Sequence, residues 1–362
     1  MAEIRALRTH AVTVPLRRPF VTAVRRATAL DATIVSVVDG DGRVGWGEAA
    51  LSWRVTGESA ASARAAIEGP IAHALIGLPA AEPDAWGPAL AAAVAHNTAA
   101  KAAVDAALWD LAAQTAGVPL HRLLDPGSRG RVRTDMTLSA VDEAAVLGDA
   151  RTHVDEGFRV LKVKLGTDAH ADDRVLRALR RGPAAHARLR VDANQGWSAD
   201  EAIRLIRGWE DDGLEVELVE QPTPAADIPA LRRIADAVET PILADESVWD
   251  ARDLAEVVRM RAADLVNVKL AKCGGIFAAR RLIADAAAAD TGVLVGSMME
   301  SVAGISAAAH LAATLPDLVH DLDAGLWQRH APVEGGARYA GDVIELGDAP
   351  GLGIRALREE AA

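Results

Sequence analysis

Three acidic residues end short apolar runs: Asp192 in LRVDANQGW, Glu220 in LVEQP and Asp245 in ILADES. Lysines flank them along the chain, Lys162 and Lys164 in VLKVKLG and Lys269 in VNVKLAKCGG. Carboxylates without histidine or cysteine partners select a hard, oxygen-preferring cation, most simply Mg²⁺. Amines on either side of such an ion suit the removal of a proton from a carbon next to a carboxylate. Taken singly, each acid reads equally well as a helix cap or an arginine partner, and each lysine as a solvated strand end. The common register of all six favours a metal site with a base on each side.

Finer expectations attach to their neighbours. Lys162 and Lys164 share one face of a strand, and two close ammonium groups beside a divalent ion should lower the pKa of one toward that of a useful base. Asn194 alternates onto the face of Asp192 and is a candidate supplement to the metal shell. Lys272 lies past a strand end and is expected to face solvent or a loop. At HDLDAG, Asp321 and Asp323 share a face, too far round to complete the metal shell but able to bind an ammonium group on a substrate. His320 alternates away from both and reads as buried packing, as does His310 in SAAAHLAA.

The elements that must position these residues follow from spacing. Candidate strand ends fall at Thr137, Lys164, Asp192, Glu220, Asp245, Lys269, Ser297 and Asp321, separated by 24 to 28 residues. One strand, one helix and two loops need about that length, which predicts a (β/α) barrel of the (β/α)7β type with an α+β capping domain. Active sites of such barrels lie at the C-terminal strand ends, so these polar residues converge on one mouth, Thr137 and Ser297 among them as substrate-binding candidates. Ser198 and Glu201 form a capping box that starts one of the helices.

Before Arg131 the texture differs. Strand-like runs IRALRTHAVTVPL and DATIVSVV lead through the turn Asp39-Gly40-Asp41-Gly42 into RVGWGEA, and helical sequence runs from about Ser59 to Leu124. The turn glycines close a hairpin, and neither a phosphate loop nor a calcium loop is complete there. We expect a capping domain over residues 1–125, completed by about 335–362 through the strand-like run DVIEL, and a barrel over 126–334.

Composition narrows the class. Hydrophobic residues make up 50% and aromatics only 3%, so the core must be mostly aliphatic. A net charge of −12 argues against nucleic-acid partners, which need basic surface. The single cysteine, Cys273, excludes an intrachain disulfide framework and fits a reducing compartment. No signal peptide and no membrane span is visible, so a cytoplasmic protein is expected.

Together these residues resemble the enolase superfamily and, within it, the muconate-lactonizing subgroup: a Lys-x-Lys pair, Asp, Glu and Asp as metal ligands, and a lysine after the sixth strand. GWGEA and GSMMES extend the resemblance over nearly the whole chain. A relative of the mandelate-racemase kind would carry a histidine base where this chain reads Gly296-Ser297-Met298. Asp321 and Asp323 resemble the pair with which dipeptide epimerases hold the substrate's N-terminal ammonium. Arg25 in RPFVTAVRRAT matches the position where L-Ala-D/L-Glu epimerases hold the glutamate carboxylate, with Arg26 as an alternative, and Thr56 to Ser59 fit a second capping loop.

The resemblance implies an Mg²⁺-dependent epimerase with Lys164 and Lys269 as the two bases and Lys162 stabilising the enediolate. L-Ala-D/L-Glu is its foremost dipeptide substrate, and the protein is expected to be a homo-oligomer. The alternatives are a muconate cycloisomerase-like enzyme, an N-acyl amino acid racemase, or a catalytically silent binding protein on the same fold.

Overall fold

The computed structural model describes residues 2–22, 26–139 and 142–358, so Arg25 lies outside the described residues. Three antiparallel strands open the chain, β1 (Ile4–Val21), β2 (Arg26–Asp39) and β3 (Val44–Ala50), in the order β1-β2-β3. The β2–β3 hairpin is held by Asp39, whose carboxylate accepts from the Asp41 and Arg43 amides at 2.9 and 2.8 Å and from the Arg43 guanidinium at 2.9 Å. Helices α1 (Ala60–Ala66), α2 (Ala72–Leu75), α3 (Pro83–Ala93), α4 (Thr98–Ala116) and α5 (Leu120–Leu124) follow.

The alanine-rich sequence of α4 answers the GWG of β3. A Cβ at Gly45 or Gly47 would lie 2.0 Å from the carbonyl oxygens of Ala107 and Ala103, so the strand rests directly on the helix backbone. Buried aliphatic side chains from α4, β2 and β3, with Trp109 of α4 and Trp46 of β3 among them, then close the core.

The barrel begins with one strand interrupted at Asp135, as β4 (Arg131–Thr134) and β5 (Met136–Leu138). Six parallel strands follow: β6 (Val160–Lys164), β7 (Arg188–Asp192), β8 (Val216–Glu220), β9 (Ile242–Ala244), β10 (Leu265–Lys269) and β11 (Gly292–Gly296). The ring closes through β12 (Val319–His320), which pairs in parallel with β4, while Asp321 bridges to Gly296 and Asp135 N donates to His320 O at 2.9 Å.

Helices α6 (Glu143–Asp155), α7 (Ala169–Arg181), α8 (Ala199–Asp211), α9 (Ile228–Ala235), α10 (Ala251–Met260), the short α11 (Leu270–Cys273), α12 (Ile276–Ala288) and α13 (Val302–Ala312) make the crossovers. After the eighth strand position a 3₁₀ turn at Asp323–Trp327 replaces a helix, which gives the (β/α)7β form. The capping box at Ser198 and Glu201 starts α8 as expected. The eight candidate strand ends fall on the last residue of a strand, one residue before it, or one residue past it.

Period-two alternation sorts the barrel interior into layers. Leu218, Leu243 and Leu294, with Leu265 against them, plug the bottom. Two residues further along their strands the same inward face carries Glu220, Asp245, Gly296 and Asn267. A Cβ at Gly296 would come within 2.4 Å of Asn267 Oδ1, so glycine there leaves room for a polar layer.

The tail differs from expectation. The DVIEL run forms β15 (Val343–Glu345) after β13 (Val333–Gly335) and β14 (Arg338–Ala340), and it pairs antiparallel with β4 of the barrel. Contact with the capping domain comes afterwards, where Leu120 N donates to Gly351 O at 2.8 Å and Leu352 N to Asp110 at 2.8 Å, before β16 (Ile354–Leu357) pairs with β13. The DVIEL run is apolar enough to cover the barrel's lower rim, and the glycines after it make the turn back.

Two acids of the capping domain reach into the barrel. Asp105 of α4 accepts from the amides of Ile276 and Phe277 at the start of α12. Glu48 of β3 accepts from Ser301 N at 2.8 Å and Gly304 N at 3.0 Å at the start of α13. Burial pushes Asp105 up to about 8, against the amide donors that pull it down.

Candidate active site

Lys162 and Lys164 project inward from β6, whose other face is buried against helices, so every residue of VLKVK is buried. The Lys162 ammonium touches three strands' carboxylates: Asp192 at 3.0 Å, Glu220 at 2.6 Å and Asp321 at 2.7 Å. Lys164 meets Asp192 at 2.6 Å. From β10, Lys269 meets Asp245 at 2.7 Å and lies 3.9 Å from Glu220. The three acids predicted to form one set are linked through lysines, Asp192 with Glu220 on Lys162 and Glu220 with Asp245 on Lys269, and these lysines enter from the second and the sixth strand positions, across the barrel from each other.

Carboxylates oppose burial at Lys162 and Lys269. Burial disfavours the Lys162 ammonium, but Asp192, Asp321, Glu220 and Asp135 outweigh it and hold its pKa well above the ordinary value. Lys269 is likewise raised, with Asp245 and Glu220 overcoming burial. Carboxylate contacts dominate both side chains. Asp192 is held down to about 2, where Lys162, Lys164 and Lys269 prevail over burial, while burial and then Asp192 push Glu220 up to about 7.

Lys272 corrects a second expectation. It is buried, ion-paired with Asp245 Oδ1 at 2.7 Å, and donates to the carbonyls of Val248 and Asn267 at 3.0 Å and to that of Asp245. The short α11 turns it back under the mouth, where carbonyls from separate segments replace water.

Asn194 sits in a left-handed turn just past β7, with φ of 42°. Its amide N donates to Asp192 Oδ1 at 2.9 Å and its side chain to Glu246 at 3.3 Å. The oxygens Asn194 Oδ1, Glu246 Oε2 and Asn267 Oδ1 are buried without a hydrogen-bond partner among the described residues. Unsatisfied buried oxygens are costly, and here they surround an all-oxygen carboxylate set, so the donors fit a hard divalent cation. Asp192, Glu220 and Asp245 would hold it.

Asp321 and Asp323 line the same cavity as Lys164, Lys269, Thr137, Asn194 and Ser297. Asp323 Oδ2 accepts from Thr137 N at 2.8 Å and Trp327 Nε1 at 3.0 Å, and Ser297 N donates to Asp321 O at 3.0 Å. The separation expected between this pair and the metal acids is small, because Lys162 touches both groups. His320 and His310 are buried, and their Nδ1 atoms accept from the backbone amides of Val295 and His121, as structural histidines do.

Four contributors escaped the sequence reading. Gln221 follows Glu220 and fixes the next strand's end, its Oε1 accepting from Asp245 N at 2.9 Å and Ser247 N at 3.1 Å. Glu246 follows Asp245 and is pushed up to about 7, first by burial and then by Asp245 and Asp192. Asp135 sits buried at the break in the first strand, and its carboxylate lies within 4.8 Å of those of Asp321 and Asp323 in an oxygen-only cluster.

Arg54 enters the cavity lining from the capping loop. Its turn is built on Ser52, whose carbonyl accepts from Val55 N at 3.3 Å and Gly57 N at 2.8 Å. For Gln221 and Glu246 the available signal was adjacency to a predicted ligand. For Arg54 it was a lone cation within the loop Leu51–Ser59. Arg26 is exposed at the start of β2.

Comparison with known proteins agrees with this architecture. Residues 145–361 match the enolase C-terminal domain-like family and residues 4–125 the mandelate racemase / muconate lactonizing enzyme N-terminal domain. The L-Ala-D/L-Glu epimerase of Bacillus subtilis is 40% identical over 97% of this chain and 96% of its own. Its substrate-liganded structure superposes with a TM-score of 0.96, at 39% identity, over 98% of this chain and 99% of that one.

A dipeptide epimerase of Enterococcus faecalis, complexed with Mg and L-Leu-L-Tyr, gives a TM-score of 0.94 at 36% identity over 98% and 100% of the two chains. The L-Lys-D/L-Arg epimerase of Methylococcus capsulatus is 35% identical over 94% of this chain and 95% of its own. Among the described residues no helix is long and apolar enough to cross a membrane. The chain belongs to the mandelate racemase / muconate lactonizing enzyme family of the enolase superfamily.

Proposed function

We propose that the protein is an Mg²⁺-dependent dipeptide epimerase that inverts the α-carbon of the C-terminal residue by moving a proton between two lysines. The observation that carries this reading is the placement of Lys164 and Lys269 on opposite sides of one carboxylate set, with Asp321 and Asp323 in the same cavity. Bound Mg²⁺ supplies positive charge for the dipeptide's α-carboxylate as that group gains electron density.

The chain's own residues do the rest. Asp321 and Asp323 pair with the N-terminal ammonium and fix the dipeptide's direction. One of Lys164 and Lys269 takes the α-proton, and the C–H electron pair moves into the carboxylate. The Lys162 ammonium stands ready to neutralise that charge. The other lysine delivers a proton to the far face. Muconate cycloisomerase and N-acyl amino acid racemase substrates offer no ammonium for Asp321 and Asp323.

Within this reading the second residue is acidic, with L-Ala-D/L-Glu as the foremost substrate. Arg54 is the cation on the capping side of the cavity, beside apolar Phe20 and Val55, and Arg25 is a further candidate. Thr137 and Ser297 complete the substrate wall and Asn194 supports Asp192. We also read the protein as cytoplasmic, on its single cysteine, and as a homo-oligomer, which light scattering tests.

Incubation of a dipeptide library in deuterated water, followed by mass spectrometry, tests the function. Deuterium should enter at the C-terminal residue, most strongly for Ala-Glu. No exchange in any free dipeptide would defeat the proposal.

A further inference from the structure

Asp135 has no part in the steps above, yet it is fully buried beside the ammonium-binding pair. Its Oδ2 accepts from Arg190 Nη1 at 2.9 Å, and Arg190 is shared with Glu217 at 2.9 Å. Its Oδ1 is buried without a partner among the described residues. The carboxylates of Asp135, Asp321 and Asp323 all approach within 4.8 Å.

The groups facing this cluster can be counted. Arg190 of β7 and Lys162 of β6 touch it, each already bridged to another carboxylate, Glu217 and Glu220 respectively, while Lys269 and Lys164 act on Asp321 from further off and are paired with Asp245 and Asp192. His320 of β12 is neutral, because its Nδ1 accepts from Val295 N. Three carboxylates whose cations are all shared with other acids repel one another, and a proton on one of them relieves that repulsion.

Asp323 Oδ2 is occupied by two N–H donors and Asp321 Oδ2 by an ammonium, whereas Asp135 Oδ1 is buried without a partner among the described residues, which favours it as the seat of that proton. Burial and then Asp321 raise the Asp135 carboxyl well above its ordinary range, in keeping with the geometry.

We propose that Asp135 is the third carboxylate of the ammonium subsite, holding a proton on Oδ1 in the free protein and releasing it when a dipeptide ammonium settles against Asp321 and Asp323. The Asp135 O–H bond breaks, its electron pair stays on oxygen and the proton passes to the buffer. The incoming ammonium replaces the proton as counter-charge, so affinity for free amines is tied to pH. Asp135 thus acts as a positioning residue, and the inference rests on the ammonium reading of Asp321 and Asp323.

The test is calorimetric titration of the full-length Mg²⁺-loaded protein with L-Ala-Gly at pH 6.5, in buffers of different ionisation enthalpy. A C-terminal glycine makes proton exchange degenerate, so only binding registers, and the peptide amine is already charged at that pH. The wild type should release up to one proton per dipeptide. Asp135→Asn, whose amide oxygen can still accept from Arg190, should release none. Glu217→Gln, which touches Arg190 from the other side, should release as the wild type does and so excludes a merely structural effect.

Equal release by the wild type and Asp135→Asn would overturn the inference, as would no release by the wild type, a result that needs no variant to fold. Uptake of a divalent ion by the cluster itself, in a variant lacking Asp192 and Asp245, would also overturn it. If N-acetyl-L-Ala-Gly bound as tightly as L-Ala-Gly, the ammonium reading would fail first, and the two failures are separable.

Discussion

The two halves of the mouth use the same residue type to opposite ends. Around Asp192, Glu220 and Asp245 each carboxylate meets at least one lysine ammonium, so charge there is balanced by groups that can also move protons. Around Asp321, Asp323 and Asp135 the partners are backbone and indole N–H groups, Arg190 and a shared Lys162, none of which is placed to act as a base. In the proposed reaction the first half changes a molecule and the second chooses one. Because they share Lys162, the chosen ammonium and the reacting carboxylate are held at a fixed span, which is what a short peptide supplies.

The division is sharpest at the lysines. Lys164→Ala or Lys269→Ala should cut epimerisation by about 10³-fold or more, as loss of a positioned acid or base does, while leaving deuterium exchange from one diastereomer. Equal loss of exchange from both diastereomers would blur the assignment of one lysine to each face. On the selecting half, Asp323→Asn should lower kcat/KM for a free dipeptide by about 10²-fold, in line with losing a buried charge-assisted contact, and lower it far less for an N-acetyl dipeptide. An equal drop for both would merge the two halves into one.

At the rim, Arg54→Gln should reduce the preference for L-Ala-L-Glu over L-Ala-L-Gln by about tenfold, the scale of one exposed charge pair with good geometry. An unchanged ratio would move side-chain selection to Arg25. The smallest effect lies outside the mouth. Asp105 has a folded pKa of about 8, above an unfolded value near 4, so the folded state binds more protons between these values and stability falls as pH rises through them. Asp105→Asn should flatten that slope in thermal melts and leave the Glu-to-Gln preference untouched.

The legibility of this site follows from the period of the barrel. Lys164, Asp192, Glu220 and Lys269 end parallel strands, and each strand end is fixed by a two-residue alternation and a repeat length that sequence displays directly. What stayed hidden depends on contacts between segments far apart in the chain. Lys272 reads as a surface lysine because nothing near it in sequence shows that Asp245, Val248 and Asn267 turn oxygens toward it. Asp135 hides in the break between β4 and β5, and its chemistry comes from residues some 55 and 186 positions away, Arg190 and Asp321.

Glu48 and Asp105 carry an implication for engineering. The helices that follow the Lys269 and Ser297 strands start with amide groups satisfied by acids of the other domain. A barrel supplied with a foreign capping domain would therefore lose more than a substrate-selecting rim. It would leave bare donors at the two helices that brace Lys269 and one wall of the pocket. Exchange of selectivity between relatives should succeed by grafting the loops around Phe20 and Arg54 while keeping β3 and α4 native. Whole-domain chimaeras should succeed only when the incoming domain presents carboxylates at both places.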